Sequence, residues 1–279
     1  MTTATYQPTD RTATNRAATR PLATRSQNDT LRALPTTLKS EWIKLSTIRS
    51  NGAILALTIA LNAVVSWAVA NFVTDEGELF VDKVFAFSTL FTTVFAAIAG
   101  ILIFSSEAQH GTLAPTLTAQ PARLVTATAK ALIAASFGAA LGVTGLIAGL
   151  VGAFVSDIET GDASTMVVTS LWATLFVALA SVLGLGIGMI ARHSSAAISG
   201  LLIWWLVVEN LLNVFIDARL ARFLPFVAGN GLLQLDDPAA SVGSLSIALT
   251  RTENALIFGG YATIALAIGT MLLSRRDTN

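Results

Sequence analysis

Six stretches of this chain are each long and apolar enough to cross a bilayer, and that leaves few folds open. About 30 Å of hydrocarbon takes roughly 20 apolar residues in a helix. Runs at 51–73, 84–106, 131–155, 165–191, 196–216 and 255–273 meet that length. The third and fourth exceed it, so they are expected to tilt or to extend into the headgroups. Composition agrees: 53% of the 279 residues are hydrophobic and only 12% charged, too apolar for an ordinary soluble domain. None of the connections reads as a soluble domain. The expected fold class is an all-α integral membrane protein with six transmembrane helices over 51–275, preceded by an amphipathic interfacial helix.

The basic residues give an orientation. With both termini inside, thirteen of the 17 Lys and Arg residues fall on internal segments. Eight lie between Arg11 and Arg49, followed by Arg123, Lys130, Arg192, Arg275 and Arg276. Only Lys83, Arg219, Arg222 and Arg251 fall outside, beside acidic residues such as Asp75, Glu76, Asp157 and Asp162. Retention of Lys and Arg on the cytoplasmic side sets topology. Cytoplasmic termini are therefore expected.

Residues 1–35 are rich in Thr, Ala and Arg, contain Pro8, Pro21 and Pro35, and show no apolar periodicity. They are expected to form a disordered cytoplasmic tail. They lack the apolar core of a signal peptide. Residues 36–50 are helix-competent, with Thr36 or Thr37 available as an N-cap. At 100° per residue Leu38, Trp42, Leu45 and Ile48 share about a third of the circumference. Lys39, Ser40, Lys44 and Thr47 lie elsewhere, while Glu41 falls inside the apolar arc. The expected interfacial helix therefore carries Glu41, Trp42, Lys44, Leu45 and Arg49. It either lies along the inner leaflet and touches a cytosolic partner, or simply anchors the first span.

Between the second and third runs stands EAQHGTLAPTLTAQPARLVTATAK, Glu107 to Lys130. Its glycine, its two prolines and its basic residues place it outside the bilayer on the cytoplasmic side. Gly111 and Thr112 are expected to turn the chain into a short helix with a Thr cap, which Pro121 stops. In the third run Gly138, Gly142, Gly145, Gly149 and Gly152 recur at steps of four and three, making one stripe for close helix packing. Gly184, Gly186 and Gly188 offer either packing or a bending point in the fourth.

Glu209 is the acidic residue clearly inside a span, and Asn210 and Asn213 follow it. A charge there faces a cavity or a partner. The three residues either line a pathway or gate, or fix helix packing. The following connection, 217–253, holds Pro225, Gly229 and Gly231 between short apolar pieces, which suggests short helices dipping back toward the bilayer.

Catalytic motifs are missing. There is no cysteine, so disulfides, thiolate metal sites and cysteine nucleophiles are excluded. The two histidines, His110 and His193, leave little for a metal site. The chain has no HExxH, no GxSxG and no GxxxxGK[ST] phosphate loop. No enzyme activity, no metal and no cofactor on this chain are expected, and no nucleic-acid partner.

EWIKLSTIRS before the first span, then EAQHGTLAPTL after the second, resembles the type-2 permeases of ATP-binding-cassette transporters, bacterial six-span exporter subunits. In that family a Glu shortly before Gly-Thr-Leu, then Pro, a basic residue and Lys, marks the first cytoplasmic loop. Glu107, Gly111, Thr112, Leu113, Pro121, Arg123 and Lys130 match those positions, His110 stands in the same expected ATPase-coupling loop, and Leu224-Pro225 fits the external LP after the fifth span. The resemblance covers about 36–275. It implies a permease in the bacterial cell membrane that pairs with a second, identical or related permease chain and with separate cytosolic ATPase subunits. Mg-ATP would be bound and hydrolysed there. Closure of the ATPases would move the loop and its coupling helix. An ion-coupled secondary carrier and a non-transporting membrane scaffold are the alternatives from other classes.

Overall fold

A computed structural model of the chain describes residues 27–72, 81–120, 122–156, 158, 161–234 and 249–275. Pro121, most of the expected tail (1–26) and Asp75, Glu76 and Asp157 lie outside the described residues. Every regular element among the described residues is helical. Helix α1 (Gln27–Thr47) precedes α2 (Arg49–Phe72), α3 (Val81–Gln109), the short α4 (Leu113–Ala119), α5 (Arg123–Phe154) and α6 (Ala163–Ala191). The fifth span is composite: α7 (Ser194–Ile203), a π-helical segment (Trp204–Glu209) and α8 (Asn210–Phe215). Two short helices, α9 (Ala218–Ala221) and α10 (Pro225–Gly231), lead toward α11 (Arg251–Arg275). Six of these units are long and apolar enough to cross a membrane, and the protein is an all-α multi-pass membrane protein.

α3 and α6 form the centre. Their most apolar windows are 56% and 61% buried, against 22% or less for α2, the fifth span and α11. The two central helices meet backbone to backbone. A Cβ on Gly100 would run into the Ser181 carbonyl, and one on Gly184 into that of Ala97. Without a hydrophobic drive between helices in lipid, such close approach is what gives packing its strength. The glycine stripe of α5 continues the pattern within this single chain. Gly138 and Gly142 lie against Ala178 and Thr174 of α6, Gly145 against Thr92 of α3, and Gly152 against Ala63 and Trp67 of α2.

Several boundaries differ from the sequence reading. The interfacial helix begins at Gln27 rather than at Thr36, so 27–35 belong to it and Pro35 lies inside it. Thr36 and Thr37 cap nothing: both hydroxyls donate back to the Ala33 carbonyl at 2.8 Å. At its other end the helix stops at Thr47, and Arg49 opens the first span. The third span starts at Arg123, a full two turns before residue 131, which takes Arg123 and Lys130 out of the loop and into α5.

Candidate functional site

The end of α1, the end of α3, α4 and the start of α5 converge at one end of the bundle. Arg123 Nη1 ties the same place to the end of α11, donating to the carbonyls of Leu273 (2.5 Å) and Ser274 (3.1 Å). Those are carbonyls a helix end leaves without partners. Ser194 Oγ donates to Gln109 Oε1 at 2.6 Å and brings in the fifth span.

At the centre of this junction Glu41, Lys44, Glu107 and Lys130 close a ring of alternating charge. Lys130 Nζ lies 2.7 Å from Glu41 Oε2 and 2.8 Å from Glu107 Oε1. Lys44 Nζ lies 2.7 Å from Glu41 Oε1 and 3.0 Å from Glu107 Oε1. Lys130 and Glu41 are almost wholly buried, with side chains 1% and 4% exposed, and Lys44 faces outward at 34%. Desolvating single charges costs several kcal/mol each, so such groups are stable only as a matched set. Two cations and two anions make the set neutral. Burial alone would raise the Glu41 carboxyl, but the Lys130 charge and hydrogen bonds from Lys130 and Lys44 outweigh it and hold the group below its ordinary range. Burial would lower Lys44, yet its hydrogen bond to Glu41 and the charge of Glu107 leave it raised.

This geometry corrects the expected face of α1. Glu41, the residue that disturbs the apolar arc, is at the middle of the buried face beside Leu45, while Trp42 and Ile48 are exposed. The helix is held by its charges as well as by its leucines.

The turn from α3 to α4 is built on Gly111, whose φ of +71° is left-handed. Thr112 N–H donates to the Glu107 carbonyl at 3.1 Å, the six-to-one bond of a glycine-closed helix end. The Thr112 hydroxyl leans toward that same carbonyl and makes no cap on α4, contrary to the expectation from sequence. His110 is exposed, with Nδ1 2.7 Å from the Ser106 carbonyl. Helix α4 buries Leu113 and Leu117 against Phe104, Ala127, Leu185 and Met189. Its other face, Ala114, Pro115 and Thr118, is exposed. Lys44 Nζ also reaches Thr116 Oγ1 at 3.4 Å, so the charge ring touches the short helix directly. Gln120, which precedes Pro121, has left the helical region at φ −129° and ψ 89°, in keeping with the bar that a following proline sets against helix.

Glu209 lies elsewhere, buried under α10. Its Oε1 accepts from the Val227 amide at 2.5 Å and so caps α10, whose own N-cap position, Leu224, has no acceptor side chain. Trp205 stacks on Phe226 at 4.2 Å beside it. Asn210 and Asn213 do not join Glu209: both are exposed, and Asn210 Nδ2 donates to the Trp205 and Leu206 carbonyls of its own helix at 3.1 Å.

Two features escaped the sequence reading. Thr58, Asn62 and Ser66 make a fully buried polar stripe on α2, and Asn62 Nδ2 donates to Thr92 Oγ1 of α3 at 2.7 Å. Their spacing of four was the available signal. The second is the partnership of Glu41 with Lys130, which no local pattern carries. Among the described residues no group of three or more His, Cys, Asp or Glu is placed to hold a metal. No protein-family model and no curated protein sequence matches the chain.

Proposed function

We propose that this chain is the permease subunit of an ATP-driven exporter of the type-2 ATP-binding-cassette kind, working with a separate cytosolic ATPase and a second permease chain. The observation that carries the reading is α4: a short helix fixed by Leu113 and Leu117 across the ends of the spans, braced by the charge ring, with its outer face bare. A helix mounted this way transmits a push from outside the bilayer to α3, α5 and α1 together. The resemblance of the Glu107–Lys130 segment to the first cytoplasmic loop of that family points to the same place. In this reading the junction end faces the cytoplasm of a bacterial cell, in keeping with the basic bias of the sequence. Nucleotide is bound by the partner.

The absence of cysteine from the sequence makes the test clean. Thr118→Cys, the sole thiol in an otherwise unchanged chain, is expected to cross-link to a co-expressed ATPase from the adjacent reading frame, and the pair is expected to hydrolyse ATP in response to transported compounds. A chain that neither cross-links nor co-purifies with such a subunit refutes the exporter reading.

A further inference from the structure

A cavity of about 620 Å³ opens beside the charge ring, between α1, the first turn of α2, α3 and α5. That volume falls within the roughly 300–1,000 Å³ of small-molecule sites. Its walls divide into two zones. Ile48, Leu102, Ile103 and Ile133 make one side apolar, at the depth where the spans end. Glu41, Lys44, Ser106, Glu107 and His110 make the other polar. Lys130 does not line it, so the charged residues of its lining are Glu41, Lys44 and Glu107. Glu107 gives one oxygen to both lysines, while its Oε2 is buried and meets no donor among the described residues. A buried acceptor left unpaired costs roughly 1–3 kcal/mol. Glu107 itself lines the cavity, so a donor entering there stands beside this carboxylate.

We propose that this cavity binds a glycerophospholipid whose headgroup carries a primary ammonium. The apolar side accepts an acyl chain, as the position at the end of the spans demands. The ammonium supplies the missing N–H donors to Glu107. The phosphate lies near Lys44 and the start of α2, where Ser50 and Asn51 line the cavity. A zwitterionic headgroup matches a wall of both signs. A trimethylated ammonium has no N–H to give, and a glycerol headgroup brings no positive charge to the carboxylates. The inference requires only that the spans lie in a bilayer. It does not depend on an ATPase partner.

The test uses the full chain in nanodiscs or mild detergent, with retained lipid counted by native mass spectrometry. The probes are dioleoyl phosphatidylethanolamine, its N-methyl and N,N-dimethyl forms, phosphatidylcholine and phosphatidylglycerol. Retention is expected to fall stepwise with methylation, at least tenfold from the primary amine to choline. Ser106→Trp, which fills the cavity, should abolish it, and Glu107→Gln should erase the preference between headgroups. Equal retention of all five lipids overturns the proposal, as does undiminished retention by a folded Ser106→Trp chain. If that variant fails to fold, the methylation series on the parent chain decides alone.

Discussion

Lys130 Nζ and Glu41 Oε2 lie 2.7 Å apart, both buried, although 89 residues separate them in the chain. This contact joins the helix before the first span to the third span, and the other two members of the ring add α3 and the outer part of α1. Under the exporter reading, the elements that meet here are those a cytosolic partner would have to move together.

Removing one member of so buried a pair leaves an uncompensated charge. Lys130→Met is expected to cost about 3–5 kcal/mol of stability. The double variant Lys130→Met, Glu41→Leu should recover much of that loss, because no isolated charge of this pair remains. Thermal unfolding of the purified variants measures both, and equal melting of single and double variants would show that Lys130 and Glu41 are not energetically coupled.

The same ring sets a pH range. The Glu41 carboxyl is held below its ordinary 4.5, so its contribution to stability is full above that value and lost as pH falls through the lowered pKa. Lys44 is raised above its ordinary 10.5, so its contribution is full below that value and lost as pH rises through the raised pKa. The melting difference between parent and Glu41→Gln is expected to be flat across the neutral range and to shrink only in acid. A difference that shrinks near neutral pH would mean that Glu41 titrates there.

How far the chain could be read in advance depended on the range of the forces involved. Hydrophobic length alone gave the six spans, because every residue of a span answers to the same solvent. Glycine spacing gave the stripe on α5, a one-helix property. The charge ring was not legible in the same way. Glu41 looks like a flaw in an apolar arc: Lys44, one turn on, is a local partner, but Lys130, which makes the burial tolerable, sits on α5 and no local pattern announces it. Lys130 has the sequence context of a loop cation because α5 runs two turns beyond its apolar core, and only pairing makes its burial tolerable. Glu209 stood out as a charge in a span, but its role as a cap for α10 required the chain to fold back over it.

Two glycines of the bundle provide a matched comparison. Gly184→Ala sets a methyl against the Ala97 carbonyl of α3, while Gly200 in the fifth span has nothing within 4 Å of where a Cβ would stand. The first substitution should destabilise by about 1–3 kcal/mol through overpacking. Gly200→Ala should be neutral or slightly stabilising. Similar melting temperatures for both would mean that α3 and α6 are not in backbone contact.

Glu209 holds α10 through its bond to the Val227 amide. Glu209→Gln keeps a carbonyl acceptor there and should be mild. Glu209→Ala leaves a buried amide unpaired, at a cost of roughly 1–3 kcal/mol. Hydrogen exchange over 225–231 reads the difference directly, and it should quicken in the alanine variant only. Unchanged protection would assign the anchoring to the Trp205–Phe226 stack instead.

Under the exporter reading Gly111 separates folding from coupling. A side chain at that position meets no neighbour within 4 Å, so Val is opposed only by the φ of +71°. For a β-branched residue that conformation costs on the order of 1–3 kcal/mol, whereas Asn tolerates the left-handed region. Glu107→Ala is a different experiment, because Glu107 belongs to α3 and accepts from both lysines of the ring; it should lower stability as well as coupling. Gly111→Val is expected to reach the membrane at near-normal levels, with α4 tilted from its seat on Leu113 and Leu117. Under the exporter reading, ATP hydrolysis by the partner then loses its response to substrate, and Gly111→Asn restores it. If Gly111→Val chains remain fully coupled, α4 is only a connector, and the partner must engage the permease elsewhere.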